Sequence, residues 1–100
     1  MPKAYIIARV TVEDTASYAE YAKGAFAAMQ KYGARILARG GRSEALEGEI
    51  RPRNVILEFE SYEQAKRYFQ SPEYQAARKH RAGGSSGDFI VVEGYDGEQP

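Results

Sequence analysis

Three charged side chains form the first constellation in this sequence that could do chemistry. Arg9, Arg39 and Glu58 each fall in a run rich in β-branched or alternating apolar residues. A carboxylate withdrawn from water needs a cation, and parity along three neighbouring strands would offer Glu58 two. One reading is a structural ion-pair network. The other makes Glu58 and Arg39 the catalytic pair, Glu58 as base or orienting residue, with Arg9 holding an anionic group of a substrate. Tyr18 and Tyr21, three positions apart, share a helix face and are read either as core or as a pair whose hydroxyls jointly reach a ligand at a helix–sheet edge. Glu73 and Tyr74 follow a helix start and are read either as cap and core or as further substrate-binding residues. The paired guanidinium groups of Arg39-Gly40-Gly41-Arg42 could hold a carboxylate or phosphate, or mark a strand end with a permissive turn.

Two other features are set aside. His80 is the only histidine and lies in Arg78-Lys79-His80-Arg81, a basic helix end, so neither metal nor haem is expected. Gly83-Gly84-Ser85-Ser86-Gly87 leaves a helix and enters a strand, the reverse of a phosphate-binding loop, and reads as a connector.

The elements that must position these residues follow from periodicity. Tyr5 to Val12 reads as a strand. Asp14 or Thr15 caps a helix whose stripe is Tyr18, Ala22, Ala25, Met29 and Tyr32, stopped at Gly33. A second strand spans Ala34 to Arg39, a polar loop follows from Arg42 to Arg53, and Asn54 to Glu60 alternates as a third strand. Ser61 with Gln64 has capping-box spacing, and Ser71-Pro72 predicts that the second helix breaks and restarts, ending near Arg81. Asp88 to Glu93 is the fourth strand. Residues 1–95 are expected to be a single domain and 96–100 a flexible tail.

The order βαββαβ is that of a ferredoxin-like α+β fold with a four-stranded antiparallel sheet. Ile6, Ala8, Val10, Ile36, Ala38, Val55, Leu57, Phe59, Ile90 and Val92 are assigned to the helix-covered face. The open face then receives Tyr5, Ile7, Leu37, Ile56, Phe89 and Val91 among charges of both signs, including Arg9, Arg39 and Glu58. An apolar patch of that size calls for cover, and a second copy of the same sheet is the economical one.

Composition narrows the function. Fourteen basic and fourteen acidic residues balance to zero formal charge, which removes the general attraction to nucleic acid and anionic membranes. With no cysteine, disulfides, thiolate metal sites and cysteine nucleophiles are excluded. The chain shows no apolar leader or spanning segment, so a cytoplasmic location is expected.

Tyr18-x-x-Tyr21, Leu37-Ala38-Arg39-Gly40-Gly41, Glu58-Phe59 and Ser71-Pro72-Glu73-Tyr74 together resemble a small bacterial family of no established function within the dimeric α/β-barrel superfamily. The resemblance implies a protomer that pairs sheet to sheet as a homodimer. Relatives in that superfamily include cofactor-independent monooxygenases, haem-degrading enzymes and small isomerases, and fold alone does not choose among them. The expected function is binding of a small, carboxylated organic molecule, with acid–base or oxygenase-type chemistry and no cofactor. The alternative is a non-catalytic domain for ligand sensing or protein association.

Overall fold

The computed structural model describes residues 2–100. The chain runs β1 (Ala4–Val12), α1 (Thr15–Tyr32), β2 (Arg35–Arg39), β3 (Arg53–Phe59), α2 (Tyr62–Gln70), α3 (Pro72–Arg81) and β4 (Ser85–Glu93). One sheet in the order β2-β3-β1-β4 results, with every neighbouring pair antiparallel. This is the expected ferredoxin-like arrangement, with its second helical segment divided.

The helices form where local chemistry starts and stops them. Asp14 Oδ1 accepts from the Ser17 amide at 3.1 Å, capping α1, and Gly33 ends it in the left-handed region at φ 73°. Ser71 has extended backbone, and its hydroxyl both donates to the Tyr68 carbonyl at 2.7 Å and accepts from the Tyr74 amide at 3.0 Å. That one side chain closes α2 and opens α3, while Pro72 occupies the first helical position, where its missing N–H costs nothing. The break at Ser71-Pro72 is therefore where the sequence puts it.

Ala4, Ile6, Ala8 and Val10 of β1 and Val55, Leu57 and Phe59 of β3 are buried beneath the helices. Tyr18, Tyr21, Ala25, Ala28 and Met29 of α1 face them, a stripe centred between Tyr18 and Tyr21 and passing beside Ala22. On β4, Ile6 stands opposite Val91 and Ala8 opposite Phe89. Phe89 and Val91 therefore pack on the core, and Ile90 and Val92 are 56% and 41% exposed, the reverse of the expected phase. Phe89-Ile90-Val91-Val92 is apolar at every position, so alternation within it carries no phase. Pairing with β1 sets it instead. That pairing also extends β4 back to Ser85, so Ser85-Ser86-Gly87 belongs to the strand and not to a connector. A Cβ on Gly87 would lie 2.4 Å from the Arg9 carbonyl oxygen, which is why glycine stands there.

A second correction concerns β2. Ile36 pairs with Leu57, Ala38 with Ile56 and Arg39 with Val55, so Leu37 is an extra residue in a bulge. Beyond it the alternation is reversed: Ala38 joins the open face and Arg39 the helix side. The open face consequently carries an apolar row, Ala38-Ile56-Ile7-Ile90, across all four strands. A row with Arg35, Glu58, Tyr5 and Val92 lies on one side of it, and a row with Asn54, Arg9 and Asp88 on the other.

Candidate functional site

The residues expected to act together are divided between two sides of the sheet. Glu58, on the open face, accepts from the Tyr5 hydroxyl at 3.3 Å and lies 3.7 Å from the Lys3 ammonium. Arg9, four positions along β1 from Tyr5, donates to the Glu49 carbonyl at 3.1 Å. Arg39 is on the opposite side because of the Leu37 bulge. The Arg9–Arg39–Glu58 cluster is therefore not assembled, and Lys3 is the cation Glu58 uses. The loop before β3 rims the open face: Arg51 crosses to Thr11 Oγ1, Asp88 and Ser86 at 3.1–3.2 Å.

Glu73 is engaged elsewhere as well. Its carboxylate accepts from Lys31 and, at 3.0 Å, from the Tyr32 hydroxyl, tying the end of α1 to the start of α3. The hydrogen bond from Lys31 holds the Glu73 carboxyl below its ordinary value, and the same bond raises Lys31. His80 is exposed on the last turn of α3.

The tyrosines do converge. Tyr18, Tyr21 and Tyr74 line a narrow cavity of about 40 Å³ between the helices and the sheet, with Phe89 toward one end and Arg39 and Arg53 at the other. Such a volume admits about one water molecule or a methyl-sized group. At Ala22 and Arg39 it adjoins an open basin of about 370 Å³ bordered by Phe26 and Lys23. The Tyr21 and Tyr74 hydroxyls share a hydrogen bond of 2.8 Å inside the core. Arg81 Nη2 donates to the Tyr74 hydroxyl at 3.3 Å, and its guanidinium stacks 4.4 Å from the Phe89 ring centroid and 5.1 Å from that of Tyr21. Burial, reinforced by the neighbouring Tyr74, pushes the Tyr21 phenol well above its usual range, so it keeps its proton and serves as a hydrogen-bonding group, not a base.

Arg53 and Arg81 emerge only with the structure. Arg53 is the first residue of β3 and lies opposite Val10, whose side is the helix side. Extending the strand by one residue in the sequence would have placed it there, since Val55 two positions on fixes the parity. Arg81 is seven residues beyond Tyr74, on the same helix face, a spacing legible in the sequence but masked by the basic run around it.

Fold and cavity together define a ferredoxin-like domain with one covered and one open sheet face, its cavity on the covered side. Residues 3–95 match the family described as a domain of unknown function (DUF1330), and the chain belongs to that family. No curated protein matches the sequence. Among solved structures, a protein of unknown function from Rhodopseudomonas palustris superposes with a TM-score of 0.78 at 17% identity, covering 96% of this chain and 85% of that one. A dimeric protein of unknown function with a ferredoxin-like fold from Bacteroides fragilis gives 0.63 at 19% identity, covering 91% and 95%. A candidate antibiotic biosynthesis monooxygenase from Caulobacter crescentus gives 0.57 at 16%, covering 98% and 92%. Among the described residues, no helix is long and apolar enough to cross a membrane.

Proposed function

We propose that the protein is a homodimer, packed through its open sheet faces, in which each protomer binds a small organic molecule in the basin at Ala22 and Arg39, with one end reaching the cavity between helices and sheet. The observation that carries the binding site is the cavity's mixed lining: tyrosine hydroxyls and two arginines reach an otherwise apolar space, the composition typical of small-molecule sites. Support for the dimer comes from the apolar row Ala38-Ile56-Ile7-Ile90, in which Ile90 is 56% exposed, and from the dimeric Bacteroides fragilis neighbour. Charges of both signs flank the row, so like-charge repulsion does not oppose the meeting of two identical faces.

An enzymatic reading has one specific support, the Caulobacter crescentus neighbour named for monooxygenase activity. Against general-base catalysis, the base expected in the sequence, Glu58, is on the other side of the sheet from the cavity. Ligand binding is therefore the primary reading.

The test is a thermal-shift screen of small organic molecules on the wild-type protein and on Ala22→Phe, which fills the cavity mouth. Hits should raise the melting temperature of the wild type and lose that effect in the folded variant. Hits that stabilise both proteins equally place the site elsewhere. Turnover of a hit under air would favour the enzymatic reading.

A further inference from the structure

The two arginines at the cavity mouth have an arrangement that the fold does not explain. Arg39 is opposite Val55, and Arg53 lies two residues before Val55 on the adjoining strand, so both point to the helix side as diagonal neighbours. Two guanidinium groups so placed repel each other. Among the described residues, no carboxylate lies within 4.0 Å of either, and neither donates a hydrogen bond to any protein acceptor. The Nε of Arg53 is fully buried and without a partner. A buried donor left unmade is costly enough to require an explanation.

What these arginines do have is aromatic support. The Arg53 guanidinium lies over the Tyr18 ring, 5.3 Å from its centroid, and that of Arg39 over the Phe26 ring at 6.0 Å. An aromatic face holds a guanidinium in place without using up its N–H donors. The backbone leaves room for them too. Gly40 adopts φ 67°, and a Cβ there would fall 2.9 Å from Arg53 Nη1. The chain thus turns away from β2 around an uncommitted cation.

Resting on the reading of the cavity as the ligand site, we propose that Arg39 and Arg53 form a carboxylate clamp and that the bound molecule is a small monocarboxylic acid with an apolar body. Its carboxylate would receive in-plane N–H donors from both guanidinium groups, satisfying Arg53 Nε and neutralising the repulsion. Its hydrocarbon part would lie over Tyr18, Ala22 and Phe26 in the basin, with a methyl-sized end entering the cavity. A dianionic phosphate fits less well, because an apolar lining penalises the second charge and Lys23 is engaged with Glu20 at 3.5 Å.

The experiment is calorimetric titration of the full-length protein with benzoate and butanoate, with benzamide and butanamide as neutral matches, and with inorganic phosphate. It is repeated on Arg53→Gln, Arg53→Lys and Arg39→Lys. The acids should bind at least tenfold more tightly than their amides, and each folded variant should lose tenfold or more for the acids while leaving amide binding unchanged. Arg53→Lys keeps the charge, so the result does not depend on the glutamine variant folding. Amides that bind as well as acids would overturn the clamp while leaving the cavity as a site. Absence of binding by every compound would overturn both. Phosphate binding as tight as that of the acids, or variants that bind acids like the wild type, would also overturn the carboxylate assignment.

Discussion

Tyr21 sits where its hydroxyl can satisfy only one neighbour, and that neighbour, Tyr74, also receives the Arg81 guanidinium. Ionising Tyr21 inside this apolar environment is penalised by burial, as is ionising Tyr68. In the unfolded chain both phenols titrate near the ordinary value of 10.0. Above that pH the unfolded state loses protons that the folded state retains, so stability is full below pH 10 and falls as pH rises beyond it. Tyr21→Phe should make this alkaline decline shallower, with Tyr68 supplying the remainder. At neutral pH the same variant removes the buried hydrogen bond with Tyr74 and should cost about 1–3 kcal/mol. Urea unfolding between neutral and alkaline pH measures both effects. An unchanged alkaline limb would show that Tyr21 ionises freely in the folded protein.

Between elements, α1 and α3 approach closely where Gly24 of α1 meets Ala77 of α3. A Cβ on Gly24 would fall 2.8 Å from the Ala77 Cβ. Alanine is the better helix former by about 1 kcal/mol, yet the collision forces α1 and α3 apart at an overpacking cost of roughly 1–3 kcal/mol. Gly24→Ala should therefore lower stability. Adding Ala77→Gly should recover more than the separate effects sum to, because the colliding methyl is gone. Gly41→Ala, with nothing within 4 Å of its added Cβ, is the control expected to stay within about 0.5 kcal/mol. Additive effects at Gly24 and Ala77 would mean the helices already have room there. The helix starts at Asp14, Ser61 and Ser71 were legible in the sequence, because each cap depends on neighbours within a few residues. The faces of β2 and β4 were not. The phase of β4 comes from pairing with β1, and the reversal in β2 comes from a bulge at Leu37 that no turn residue announces. Because Arg39 lies beyond that bulge, the expected site with Arg9 and Glu58 dissolved, whereas Tyr18, Tyr21 and Tyr74, placed by helix spacing alone, do meet.

The protomer as a whole is a slab, 43 × 35 × 17 Å, with one layer of helices on one sheet. Its radius of gyration of 14.0 Å exceeds the roughly 13 Å of a more nearly spherical chain of this length, in keeping with a core on one side only. Ile7 stands at the centre of the other side, between Ile56 and Ile90. Light scattering should report about 22 kDa, twice the 11.1 kDa chain, and Ile7→Glu should bring it to the single-chain mass. Since the cavity is across the sheet from Ile7, the monomeric variant should keep the ligand-induced thermal shift of the wild type. A variant that remains at 22 kDa would place the interface elsewhere, and one that loses both mass and ligand response would tie the cavity to the assembly.

The extra residue at Leu37 makes β2 a strand read in two frames. Arg35 and Ile36 keep one frame against Glu58 and Leu57, and Ala38 and Arg39 keep another, one place late, against Ile56 and Val55. Removing Leu37 would merge the frames without moving either half, so a deletion in mid-strand leaves every other side chain of β2 in its compartment. Swapping Leu37 for another residue changes only what the bulge displays. The β3 partner decides which side of the sheet a β2 guanidinium takes: Arg35 follows Glu58 to the open face and Arg39 follows Val55 to the helix side.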